Sequence, residues 1–225
     1  MTACRWWKNG GARSCCFWML TIPTGRYKTR SMNIDTRKTM LDQALLLFAK
    51  RGYEGVGVQE IVAAAGVTKP TLYYHFKSKQ GLLSTLLDER LSPVLVHLEE
   101  QEPSGDIEPD LTRCAATLFA YAASNPEMYR LFLALMFASP ESPQHEIAAV
   151  HAERQFRAIE RIFVRAVEAG TVEDDAALLA ATFQGALHNY ITLFLLGHVG
   201  LDEGAARGAA HRFVHGIGSP DSGNE

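Results

Sequence analysis

Residues 58–76 read VQEIVAAAGVTKPTLYYHF, and this stretch decides the fold. Val58 to Ala65 is helix-forming, with Ile61 and Val62 as its apolar side and Gly57 as a start cap. Gly66 supplies the left-handed residue that ends such a helix. Thr68 stands where an N-cap is expected. Pro70 falls in the following first turn, where a missing N–H costs nothing. Leu72 and Phe76 share one inward face. Two short helices joined by a glycine-containing turn predict a helix-turn-helix.

Working outward, Met40, Leu41, Ala44, Leu45, Leu47 and Phe48 recur at helical spacing from Thr36 onward. Lys50, Arg51 and Gly52 make a good stop, with cations in the last turn. Ser78 is expected to cap a fourth helix through Leu82, Leu83, Leu86 and Leu87, which Pro93 kinks or ends. Residues 101–110 read as a loop of Pro, Gly, Ser and acids. Beyond them helices are expected near 111–124, 126–138, 145–169, 174–197 and 203–216. No stretch reads as a strand, so the fold class expected is all-α: an N-terminal three-helix domain followed by a larger helical one.

The helix after Gly66 carries an unusual outer face. Thr68, Lys69, Pro70, Thr71, Tyr73, Tyr74 and His75 are small polar or aromatic groups that solubilise poorly but suit base edges and phosphates. A lysine donates to guanine acceptors, and the Thr71 methyl fits a thymine methyl. The tyrosine hydroxyls reach phosphate oxygens, with Lys77 and Lys79 just beyond. A helix N-terminus adds its own attraction for phosphate.

Charge is spread unevenly over the 225 residues, whose net value is −3. Residues 32–80 hold seven Lys/Arg against four acids, whereas residues 81–225 hold nine against twenty-one. That imbalance suits a reading domain facing a polyanion, but it is too mild for a packaging protein that binds by charge alone. Residues 1–31 hold six Lys/Arg and no acid, without helical or alternating period. They are expected to be a disordered, dispensable prefix, either a basic arm or a segment upstream of a start at Met32. Cys15 to Ile22 resembles a signal-peptide core but is short and lacks a small-residue cleavage site. Residues 218–225 read as a disordered tail. No apolar run is long enough to span a membrane. Cys4, Cys15, Cys16 and Cys114 have neither zinc nor disulfide-framework spacing, which fits a cytoplasmic protein.

The helix near 174–197 is apolar on nearly every side: Leu179, Phe183, Leu187, Tyr190 and Phe194 in one stripe, Leu178, Ala181, Gly185, Thr192 and Leu195 elsewhere. Such a helix needs cover on two sides, which a second copy of the chain can supply. Gly204, Gly208 and their alanine neighbours allow another backbone to approach closely. The large apolar residues of helices 111–169 suit either a plain core or an adaptable pocket, with Arg130, His151, Gln155, His188 and Asn189 as polar groups at inner positions. His211 and His215 lie one turn apart, but no third ligand is evident, so no metal site is expected. No nucleophile elbow, phosphate loop or HExxH motif is present, so neither catalytic residues nor a cofactor are expected.

The run from Thr36 to Leu83 resembles the DNA-binding domain of the TetR family of bacterial transcription regulators. The resemblance rests on Thr36-Arg37, Ala44, Leu47-Phe48, Gly52-Tyr53, Ile61, Ala65-Gly66-Val67-Thr68 and Leu72-Tyr73-Tyr74-His75-Phe76 with Lys79. Val56-Gly57 departs from the Thr-Ser or Thr-Thr common before the second helix, and Gln80 stands where an acid is common. The resemblance implies base contacts from Gln59, Lys69, Pro70 and Thr71. It implies phosphate contacts from Tyr73, His75 and Lys79, with Tyr74 mixed and Thr68 opening the helix. It implies residues 32–80 as the DNA-reading domain and 81–217 as an effector-binding and dimerisation domain whose last two helices pair with their copies. The expected partners are a double-stranded operator, a second subunit and a small, largely apolar effector. The expected effector contacts are Phe119, Tyr129, Phe132, Met136, Gln155, Phe183 and His188. The expected activity is repression, released by the effector. The alternative is an all-helical small-molecule enzyme or carrier containing a similar bundle.

Overall fold

The computed structural model describes residues 29–216. Among them are nine helices and no strand: α1 Thr29–Arg51, α2 Val58–Ala64, α3 Lys69–Phe76, α4 Lys79–Glu100, α5 Ile107–Ser124, α6 Pro126–Met136, α7 Pro143–Glu168, α8 Ala176–Leu195 and α9 Glu203–His215. The expectations for residues 1–28 and 218–225 lie outside the described residues. Helix α1 starts at Thr29, so the last residues of the expected prefix, 29–31, are helical.

The turn between α2 and α3 is built as its glycine requires. Gly66 has φ +65°, its N–H donates to Ala63 O, and Val67 N–H donates to Val62 O at 2.9 Å. This Schellman pair satisfies the last carbonyls of α2 and reverses the chain. At the other end of α2, Gly57 N–H donates to Glu60 Oε1 at 3.2 Å, and Arg51 from α1 pairs with the same carboxylate.

The α3–α4 corner is tighter still. Lys77 has φ +66° and ψ −39°, and Ser78 N–H donates to Phe76 O at 2.7 Å across it. A γ-turn of this sign is strained for a residue with a Cβ. Ser78 Oγ accepts from Gly81 N–H at 2.9 Å, capping α4 as its sequence implies. A Cβ on Gly81 would lie 2.0 Å from Phe76 O.

Helix α4 does not end at Pro93; it runs on to Glu100 with Pro93 exposed. Its apolar face, Leu82 to Leu98, is buried throughout. Two ion pairs tie it to α1, Arg37–Glu89 and Arg90–Asp42. Arg154 of α7 grips its far end, donating two hydrogen bonds of 2.8 Å to Glu99. Helix α5 begins at Ile107, earlier than expected, because Asp110 organises the loop before it. That buried carboxylate accepts from Ser104 N, Gly105 N and Arg113 Nη2 at 2.7, 3.2 and 2.6 Å. Asp175 and Asp202 cap α8 and α9. One continuous core runs from Met40 and Phe48 through Leu72, Phe76 and the α4 leucines to Phe183 and Ala210.

Gly81→Ala forces the α3–α4 corner apart against backbone, not against a flexible side chain. It should destabilise the chain by about 1–3 kcal/mol, as overpacking does, read as a lower urea midpoint with unchanged slope.

Candidate nucleic-acid interface and effector core

The expected reading residues divide by environment. Gln59 on α2, and Thr68, Lys69 and Pro70 at the start of α3, are exposed; Thr71 is half-buried. Thr68 occupies the N-cap position of α3 but does not cap it through its hydroxyl. Thr68 Oγ1 instead pairs with Thr71 Oγ1 at 3.0 Å. Tyr73 and Tyr74 are 45% and 69% exposed, while Leu72 and Phe76 on the opposite side of α3 are buried. Large aromatics this open on a short helix fit a surface made to be covered.

His75 and Lys79 have more than one engagement. The His75 ring meets Tyr74 edge-on at 5.1 Å and lies 5.9 Å from Phe76. Burial, and then the nearby Arg37, hold its pKa below the usual imidazole value. It is therefore neutral near pH 7, and its contact with a phosphate would be a hydrogen bond, not an ion pair. Lys79 Nζ sits 3.9 Å from the centre of the Tyr53 ring and 5.9 Å from that of Phe48. Burial lowers the Lys79 pKa, with Glu54 opposing. Tyr53, itself buried, is raised to about 12 by burial and Glu54. Lys79 thus closes the end of the α1–α4 core with its charge laid against the Tyr53 ring. No sequence signal marks Tyr53 as its partner, since loop and helix meet only in the fold.

The expected effector residues do not all come together. Tyr129, Phe132, Gln155 and His188 form one cluster. The Tyr129 ring packs edge-on to Phe132 and to His188, both at 6.1 Å, and the Gln155 amide meets His188 Nε2 at 3.1 Å. The buried Tyr129 hydroxyl has no hydrogen-bond partner. Phe183 belongs to a second group, 5.0 Å from Phe213 and 6.3 Å from Phe163. Phe119 stacks near Tyr190 at 5.7 Å, and Met136 is half-buried at the end of α6. Cys114 is buried and its thiol is pushed up to about 12, which makes it an inert core residue. Arg130 and Asn189, expected to point inward, are exposed. Arg130 instead donates to Leu195 O across a groove of about 540 Å³ lined by Leu133, Phe137, Thr192 and Leu196.

His151, buried on α7, approaches Asp88 of α4 at 3.3 Å, and its other ring nitrogen has no partner. Helix α8 buries Ala180, Phe183, Leu187 and Ile191. Its opposite face, Leu178, Ala181, Thr182, Gly185, Asn189, Thr192 and Leu196, is open. Leu178, Leu196 and the nearby groove residue Phe137 are 62%, 65% and 86% exposed.

A helix with an exposed polar and aromatic face on a three-helix unit, joined to a larger helical bundle with a polar buried cluster, defines a helix-turn-helix followed by a helical domain. Residues 40–86 match the family described as bacterial regulatory proteins, tetR family. Over that stretch the chain is similar to the DNA-binding segment of that family. It is 37% identical over 83 residues to the uncharacterized HTH-type transcriptional regulator YvkB of Bacillus subtilis (strain 168), covering 37% of this chain and 43% of that one. It is 42% identical over 59 residues to the HTH-type transcriptional regulator AcrR of Shigella flexneri, covering 26% and 27%. The chain therefore matches less than half the length of these curated relatives. Among solved structures, the TetR family transcriptional regulator PfmR of Thermus thermophilus is 26% identical, with a TM-score of 0.64 over 80% of this chain and 99% of that one. The regulator FadR of Bacillus subtilis, solved with stearoyl-CoA, is 18% identical with a TM-score of 0.68 over 80% and 99%, which shows the shared fold. No helix among the described residues is long and apolar enough to cross a membrane.

Replacing Lys79 by Ala removes its contact with the Tyr53 ring and should cost about 0.5–2 kcal/mol of stability in addition to any DNA affinity, measured by paired melts and binding isotherms. The buried histidines make a second expectation, concerning acid. Burial depresses His188 to about 4, and lowers His151 as well. An unfolded histidine titrates near 6.5, so the unfolded chain binds protons first as pH falls. Stability is therefore full above pH 6.5 and is lost between 6.5 and 4, by at most roughly 3 kcal/mol for His188. His188→Gln should flatten that slope in urea melts; an unchanged slope would show that His188 is not responsible.

Proposed function

We propose that the chain is a ligand-responsive, sequence-specific DNA-binding transcriptional regulator that acts as a homodimer and represses from a near-palindromic operator. The observation that carries this is the start of α3: exposed Lys69, Pro70, Tyr73 and Tyr74 on a helix anchored from behind by buried Leu72 and Phe76. The tetR-family match over residues 40–86 supports it. Gln59, Lys69, Pro70 and Thr71 read bases. Tyr73, His75 and Lys79 hold phosphates, Tyr74 serves both, and Thr68 sets the entry of the helix. Two such helices, about one turn of DNA apart, read two half-sites. Residues 32–80 form the reading domain and 81–217 the effector and dimerisation domain, with α4 leading from one to the other. Regulators of this kind work in the cytoplasm.

The second subunit covers the open face of α8, from Leu178 to Leu196, together with α9. A small, largely apolar effector enters the core around Phe119, Tyr129, Phe132, Met136, Gln155, Phe183 and His188. Its arrival displaces α7, which holds α4 through Asp88 and Glu99. Asp88 adjoins Glu89 and Arg90, the residues that tie α4 to α1. An effector that favours one placement of α4 thus shifts the spacing of the two reader helices, and affinity for DNA falls. An all-helical enzyme or carrier would make none of these DNA contacts, and selection of bound sequences from a random DNA pool separates the two. Enrichment of a palindrome supports the regulator; no enrichment overturns it.

Lys69→Ala should flatten base preference at one symmetric pair of operator positions and cost roughly 1–3 kcal/mol against the selected site. Unchanged preference at every position would remove Lys69 from the reading set. Gly185, in the middle of the open α8 face with nothing near its missing Cβ, tests the dimer. Gly185→Arg should give monomers by sedimentation, with a steep loss of operator affinity. An intact dimer would place the interface elsewhere.

A further inference from the structure

His211 and His215 lie one turn apart on α9, so both imidazoles face the same side. Their ring centres are 4.6 Å apart. Facing them, from the first turn of α5, is Glu108. His211 Nδ1 is 3.0 Å from Glu108 Oε1, and His215 Nε2 is 2.8 Å from Glu108 Oε2. One donor atom from each of the three side chains fits within a sphere of mutual distances under 4.8 Å. Sequence spacing shows the histidine pair but not Glu108, which packing of α5 against α9 delivers.

We propose that Glu108, His211 and His215 bind one divalent transition-metal ion of the zinc type, clamping the start of α5 to α9. Two imidazole nitrogens and one carboxylate oxygen are the donor set such ions prefer, whereas magnesium and calcium call for oxygen alone. Donors about 2.0–2.2 Å from a tetrahedral ion lie roughly 3.4 Å from one another, so the two carboxylate–imidazole distances of 3.0 and 2.8 Å need open only slightly. Both histidines are exposed and Glu108 is half-buried; Glu108 and His211 line a groove of about 700 Å³ together with Asp106, Thr112, Arg207 and Gly208. An ion therefore has a path in, and its remaining position is open to water. This site is separate from the reader helix and from the buried Tyr129 cluster.

The probe is zinc chloride, titrated calorimetrically into the full reduced chain, with thermal melts at each concentration. The wild-type chain should bind about one equivalent more than the His211→Ala/His215→Ala variant, and only the wild type should gain stability from that ion. Glu108→Gln keeps the shape of the side chain and should weaken binding by roughly tenfold or more. It also keeps the test open if the double variant folds poorly. His97→Ala, another exposed histidine, should bind as the wild type does. Magnesium should produce no shift. Equal stoichiometry, affinity and melting shift in wild type, Glu108→Gln and the double variant would assign the zinc to other groups, the cysteines included, and overturn the proposal. So would absence of zinc binding up to millimolar concentration, which would leave Glu108 and the two histidines as a hydrogen-bonded surface cluster.

Discussion

Helix α3 is held in place by the carbonyl of Phe76. It accepts from Ser78 N–H across a strained turn, and Gly81 leaves it the room to do so. Phe76 ends α3 and Gly81 lies in the first turn of α4, so this one contact fixes the angle between the helix proposed to meet DNA and the helix that enters the larger domain. Any side chain at position 81 would open that angle. The strain at Lys77 is sustained because both flanks are buried: Leu72 and Phe76 before it, Leu82 and Leu83 after it.

From that corner α4 runs as one rod, and its charges are distributed by helical geometry. Successive residues of a helix turn by about 100°. Asp88 therefore faces His151 of α7, while Glu89 and Arg90 face Arg37 and Asp42 of α1. Each surface ion pair alone contributes little, typically about 0–1 kcal/mol. Their value lies in register. The buried leucines hold α4 by area, which tolerates sliding and rotation, whereas the paired charges favour one rotation over its neighbours. A rotation that suits α7 is felt at once by α1.

Local chemistry makes the helix-turn-helix legible. Gly66, Ser78, Leu72 and Phe76 act within a few residues of themselves, so their roles follow from spacing. The exposed tyrosines are legible for the same reason, as are the boundaries of α6 to α9 to within a few residues. What escapes the sequence depends on contacts between distant segments. Lys79 meets Tyr53 across the fold, Asp110 ties down a loop that reads as irregular, and Glu108 reaches α9. Pro93 reads as an interruption of α4, but its ring sits on the exposed side and packing elsewhere sustains the helix. Asn189 reads as an inner residue yet lies outside, because α8 is apolar nearly all round and hydrophobicity alone does not say which side faces the core; Arg130, on α6, also lies outside and donates to Leu195 O.

That all-round apolarity links the buried cluster to assembly. Helix α8 presents Phe183 and Leu187 to the core, with His188 beside them, and on its other side leaves Leu178, Gly185 and Leu196 open. The core behind it is close-packed, and the Tyr129 hydroxyl within it lies by the Gln155 side chain without a well-formed hydrogen bond. A buried hydroxyl with so poor a partner is costly, and a ligand that accepts from it recovers part of that cost, up to about 1–3 kcal/mol. The same ligand must displace side chains, since a packed core has no room to spare. In the proposed regulator the walls that yield are α7 and α8. One steers α4 and the reader; the other is the surface on which the second subunit rests. A single entering molecule therefore acts on both quantities that set the distance between two reader helices: the tilt of each one and the seating of the dimer.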